Sequence, residues 1–255
     1  MGVAVAARAV GELPDNPGRG VSGLDGALRA LRAVGPGPCR TSGAASCGTW
    51  LCGAVVGEVR DGGTRRYDDP EFDPEFDPEF DEVVVRRLAH GYLRVVADHA
   101  AGLPVPRVWE LLLAPPRARP ARLAMAGTVA LLGHDLTLAV VGACTVLGRT
   151  PGVRECAGHH RLATLLAAHG CDLVRAFNPA DLAGADGLAA PAVLTAAWDR
   201  VEHLWTLRGR PAEAEAERVA LDLAVHASAV QVLAGGVPTD ASLPTGDGAA
   251  RRIVP

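Results

Sequence analysis

The sequence predicts an all-α fold, an irregular single-domain bundle of about eight helices. Three observations predict it. Apolar residues recur at i, i+3, i+4 and i+7 along most of the chain, the spacing that lines one face of a helix. Proline stands at the start and glycine at the end of the later segments, the usual helix punctuation. No run alternates apolar and polar residues as a half-buried strand would. With 255 residues and 49% hydrophobic content, the chain can bury one large core and has no need of a second.

The elements follow in order. Ser22 is a plausible N-cap for "SGLDGALRALRAVG", where Leu24, Leu28 and Leu31 share a face. "AASCGTWLCGAVVGEV" reads as a second helix, ending at "RDGG". The unit Asp-Pro-Glu-Phe then occurs three times, at 69–72, 73–76 and 77–80. Proline suits a helix's first turn, so the last unit supplies the entry to the helix beginning near Asp81, and the two before it read as duplicated loop. The Asp-x-x-x-Asp spacing does not fit a calcium loop, which needs ligands at alternating positions and a glycine turn. The long helix shows an apolar face of Val84, Leu88, Tyr92, Val95 and Val96 and ends at Gly102 and Pro104. "PRVWELLLA" is a short helix stopped by Pro115 and Pro116. "PARLAMAGTVALL" and "DLTLAVVGACTVLG" form one bent helix or two, hinged near Gly133.

Three more helices follow: "GHHRLATLLAAHGCDLVRAF", "PAVLTAAWDRVEHLWTLRG" and "PAEAEAERVALDLAVHASAVQVLAGG". The expected organisation is a tail over 1–18, one domain over 19–237, and a second tail over 238–255.

Composition narrows the function classes. Net charge is −4, and no basic face points to nucleic acid. The N-terminus lacks the basic start and long apolar core of a signal peptide, so a cytoplasmic location is expected. The most apolar run carries His134 and Asp135, and charge is costly at bilayer depth, so a buried core helix is expected there and no membrane contact. Cysteines 39, 47, 52, 144, 156 and 171 make no Cys-x-x-Cys pair, which leaves reduced thiols and no zinc pattern. Phosphate-binding loops, nucleophile elbows and dinucleotide fingerprints in context are missing from the sequence.

His134–Asp135 is the candidate chemistry. Such a pair inside an apolar run must be hydrogen-bonded or used. In one reading Asp135 caps the second half-helix and His134 packs at the hinge. In the other the two are a buried acid/base pair with a tuned imidazole. Trp198, Glu202 and Trp205 fall at i, i+4 and i+7, a face with a carboxylate between two indoles, and are expected to share a pocket with His134 and Asp135. The catalytic candidates are therefore His134, Asp135 and Glu202, and the substrate-binding candidates Trp198, Trp205 and Tyr92. Asp199/His203 and Asp222/His226, each at i, i+4, read as surface contacts, and His159–His160 as surface residues at a helix start.

The segments "VPRVWELLL", "AGTVALLGHDLTLAVVGACTVLG" and "AAWDRVEHLWTLRG", in this order, resemble the bacterial domain-of-unknown-function family 5995 over roughly residues 44–236. The single "DPEF" before the long helix resembles the family's pattern, here expanded. The resemblance implies an all-α fold with a polar centre around His134 and Asp135. It also implies a departure: positions where the family carries asparagine, histidine and proline hold Val129, Leu131 and Thr137, and Gly133 replaces a polar residue. From this follows the expectation of a small-molecule enzyme without cofactor or bound metal. It would be a cyclase, lyase or isomerase of specialised metabolism acting on a small apolar molecule. The alternatives are a metal-dependent phosphohydrolase built on the His-Asp pair, which the missing upstream histidine disfavours, and a non-catalytic small-molecule-binding protein. Oligomeric state is left open.

Overall fold

A computed structural model describes residues 21–34, 44–61, 77–114, 118–178 and 191–235. The expected tails and the first two Asp-Pro-Glu-Phe units lie outside the described residues. Eight helices and no strands occur among those described, when Pro120–Leu147 is counted as one. We label them α1 (Val21–Val34), α2 (Ala44–Arg60), α3 (Pro78–Ala100), α4 (Arg107–Leu113), α5 (Pro120–Leu147), α6 (Val153–Phe177), α7 (Pro191–Thr206) and α8 (Pro211–Ala234).

α5 is the axis of the bundle. Its first part packs on α2, α6 and α8, and its last part on α3 and α7. This explains its all-round apolar composition, since a helix wrapped by others must be apolar on every face. By length and composition it could cross a membrane, yet 61% of its apolar window is buried inside the fold. Gly148, at φ 64°, ends it in the left-handed conformation that glycine adopts without penalty.

The last repeat unit does supply the entry to α3. Asp77 is the N-cap, accepting from the Phe80 N–H at 3.0 Å, and Pro78 takes the first turn. Phe80 is buried. Arg149 holds this corner by ion pairs to Asp77 and to Glu79, the latter at 3.0 Å. One residue further in, buried Asp81 accepts two hydrogen bonds from Arg161, at 2.9 and 3.1 Å, fastening the start of α6 to the start of α3. Gly158 allows this approach, because a Cβ there would lie 2.8 Å from the Phe80 ring.

Along α3, Val84, Leu88 and Tyr92 are buried as the periodicity predicts, while Val95 and Val96 are half-buried. Gly48 on α2 makes room for Tyr92: a Cβ would meet its ring at 2.6 Å.

The irregularity expected near Gly133 is a π turn within one helix. Residues Leu131–Asp135 form a single π turn, with the Leu136 N–H bonding back to the Leu131 carbonyl. Thr137 donates to the Gly133 carbonyl at 3.1 Å, and Gly133 lies against Val225 of α8, where a Cβ would come within 3.0 Å. The helix therefore runs on through the glycine, locally widened.

Candidate functional site

The π turn sets the geometry of His134 and Asp135. Successive residues of an α-helix are rotated by about 100°, which keeps neighbouring side chains apart. A turn closed five residues back rotates each residue by less, and here the neighbours meet: His134 Nδ1 lies 2.5 Å from Asp135 Oδ1. The expectation that Asp135 caps a second half-helix is corrected, since it has helical backbone angles and makes no side-chain cap. Its carboxylate is used sideways. Trp109 of α4 donates its indole N–H to both Asp135 oxygens, at 3.0 and 3.2 Å.

Trp109 is held in turn. α4 begins at Pro106, which offers no side-chain cap, so its first N–H groups need an acceptor from elsewhere. Asp222 of α8 provides it, accepting from the Arg107 N–H at 2.8 Å and the Val108 N–H at 3.1 Å. Asp222 is thus a capping group between two helices rather than the partner of a surface pair with His226. The Tyr92 ring packs edge-on against Trp109 with centroids 5.1 Å apart, and its hydroxyl lies 3.2 Å from Thr49 Oγ1. Tyr92 is fully buried, so it braces Trp109 as part of the core.

His134 is 5% exposed and Asp135 8%. Burial pulls the imidazole toward neutrality. The hydrogen bond to Asp135 and the charges of Asp135 and Asp222 outweigh that pull, and the net shift is upward from the usual value. With Nδ1 engaged by Asp135, Nε2 is the ring nitrogen left to meet another partner.

The structure does not gather the late-helix candidates around this pair. Trp198 and Glu202 line a separate cleft of about 420 Å³ with Gly152, Val153, Cys156, Ala157 and His160. The Trp198 indole N–H donates to Glu202 Oε1 at 2.9 Å, so indole and carboxylate are joined along α7. Trp205 packs partly buried on the core with the Arg208 guanidinium 4.4 Å over its ring. His203 reaches Glu217 of α8 at 3.7 Å rather than Asp199.

His159 is the largest departure from expectation. It is fully buried, and neither ring nitrogen has a hydrogen-bond partner among the described residues. Its ring lies 5.5 Å from His160 and 5.7 Å from Trp198. Burial, with a smaller contribution from His160, lowers its pKa to about 4. The pattern held a signal for this: His159, Leu162 and Leu166 follow helical spacing on one buried face of α6.

Residues 64–235 match the model of a family of unknown function (DUF5995). The chain belongs to that family. No curated protein and no solved structure matches it. The DUF5995 span contains the His134–Asp135 pair, its Trp109 and Asp222 supports, and the Trp198 cleft. The positions noted as departures are packed without polar partners in two cases: Leu131 is fully buried and Val129 half-buried. Among the described residues, no three His, Cys, Asp or Glu side chains converge on one point where a metal could sit. That gives the phosphohydrolase alternative no ligand set within them.

Proposed function

We propose that this DUF5995 chain is a small-molecule enzyme that works by proton transfer at His134 without a cofactor, on the pattern of a lyase, isomerase or cyclase. One observation carries the reading: Asp135, pinned by the Trp109 N–H, grips His134 Nδ1 at 2.5 Å. A carboxylate on one imidazole nitrogen fixes the tautomer and ring orientation, and it stabilises the imidazolium formed when the other nitrogen takes a proton. The upward shift of His134 suits it to donate a proton near neutral pH and recover it afterwards. The neighbours of the pair along the turn, Leu131, Leu132 and Leu136, are apolar and buried, and an apolar substrate matches them.

The reaction class can be tested without knowing the substrate. Purified protein is incubated with a mixed small-metabolite extract in D2O, and mass spectrometry follows deuterium incorporation and new masses. The wild type should label or convert a defined compound. His134→Gln should lose that activity while keeping its helical circular dichroism. A folded His134→Gln protein with unchanged labelling, or no labelling by the wild type, would sink the proposal and leave the pair as a core fastening.

A further inference from the structure

A second chemistry lies in the cleft between α6 and α7, about which the His134 reading says nothing. Cys156 sits in the first turn of α6, its N–H bonded to the Gly152 carbonyl at 2.8 Å. The helix starts at Gly152 in extended backbone with no side-chain cap, and Glu155 is the acidic residue of its first turn. Four residues on, on the same face, His160 brings Nε2 to 3.9 Å from Cys156 Sγ. Both residues line the cleft, with Trp198 and Glu202 on the α7 side. We propose that Cys156 is a nucleophilic thiol served by His160, and that the cleft admits small cationic disulfides with which it exchanges.

The other cysteines of the described residues do not line this cleft. Cys47 and Cys144 are buried, and burial pushes both thiols up to about 11, while burial and the Asp135 charge push Cys52 up as well. Cys171 is on α6 as well but about four turns further along, away from the helix start.

Arg161 is taken by Asp81, and Arg149 by Asp77 and Glu79 with Glu155 at 4.0 Å. Glu202 is therefore the charged group lining the cleft, and it lies exposed at the rim. A carboxylate there attracts cations and repels anions, which assigns the charge of the incoming disulfide. Behind the cleft lies His159, buried without partners and in ring contact with His160 and Trp198. It is neutral at pH 7, so it adds no charge against a proton arriving on His160.

The exchange balances. The Cys156 proton passes to His160 Nε2, and the thiolate attacks one sulfur of the disulfide. A new S–S bond forms as the old one breaks, and the departing thiolate takes a proton from His160 or solvent.

Cystamine, a dicationic disulfide, and dithiodiglycolate, a dianionic one, are the probes. Modification of the intact protein is timed by mass spectrometry, the site mapped by peptides, and each rate divided by that of free cysteine. Cys156 should react first, and cystamine should outpace dithiodiglycolate at least tenfold after this correction. Cys156→Ser should remove the fast step. His160→Gln should slow it tenfold or more at pH 7 and leave it unchanged at pH 10, where hydroxide ionises the thiol without help. Glu202→Gln should erase the charge preference. Fast labelling that survives Cys156→Ser overturns the thiol assignment. Equal rates for wild type and His160→Gln at pH 7 overturn the role of His160, and an unchanged preference in Glu202→Gln overturns the cationic class.

Discussion

Asp135→Asn is the perturbation that separates a working ion pair from ordinary packing. The substitution keeps the shape of the side chain but removes its charge and makes one of its two oxygens an NH2 group. Asp135 accepts three contacts, two from the Trp109 N–H and one from His134. An amide oxygen in the Oδ1 place can still meet both donors, at 2.5 and 3.2 Å, but its NH2 then faces the Trp109 N–H. When His134 is charged, the variant leaves a buried imidazolium without its counter-ion, at a cost of about 3–5 kcal/mol. When His134 is neutral it can change tautomer and accept from the NH2, and the loss falls to about 1 kcal/mol, the size of one neutral hydrogen bond.

The sign with pH follows from the raised imidazole. A group whose pKa is raised by folding adds stability that is fully present below its unfolded value, near 6.5, and lost as pH rises through the folded value. The gap between wild type and variant should therefore be widest at pH 5.5 and narrow toward pH 9. Urea unfolding at both pH values measures it, and nitrogen-15 NMR of His134 should show its titration midpoint falling in the variant. Burial, the leading influence, then acts with only Asp222 opposing it. A gap that is the same at pH 5.5 and 9, or a midpoint that does not fall, would refute the ion-pair description.

Two further expectations concern the scaffold. Deleting residues 69–76 keeps Asp77 and should move the thermal midpoint by only a few degrees, since loop length costs little, whereas Asp77→Ala removes the α3 cap and should cost about 1 kcal/mol in urea unfolding. His159→Leu should stabilise at pH 7.5 by about 1–3 kcal/mol, because an unpartnered buried polar group is replaced by an apolar one, and the gain should grow as pH falls from 6.5 toward 4, where the wild type's unfolded imidazole takes up a proton that the folded one does not.

The fold was legible because its signals are local. Pro78, Pro120, Pro191 and Pro211 each open a helix, and Gly148 and Gly235 close two of them. The i, i+4, i+8 spacing of Val84, Leu88 and Tyr92 shows the buried face of α3 directly. The π turn was not legible, because its causes are tertiary: Gly133 set against Val225, and the surrounding helices that hold α5. A break at Gly-His-Asp and a widened turn are the same string of letters. The expected partnership with Trp198 and Glu202 failed for a related reason. A shared helix face shows which residues lie together, but not which distant element that face meets. The true partner could have been sought by matching needs. Trp109 sits in a short apolar helix and its N–H requires an acceptor, while Asp135 sits in an apolar helix and requires a donor.

The same logic of matched needs bears on why the pair persists. Asp222 caps α4, α4 presents Trp109, Trp109 holds Asp135, and Asp135 orients His134. The first links each use a polar group of one helix to satisfy another, from α8 through α4 to α5, and the last joins neighbours on α5. As a device for stability this is inefficient. Apolar residues of similar volume often replace a buried ion pair without loss, and the centre of α5 is otherwise built of such residues. What the apolar alternative cannot supply is an imidazole with one nitrogen fixed by a carboxylate. The cost of the arrangement is thus an argument for use of His134, and the direction of its shift, upward despite burial, is the direction a proton donor needs.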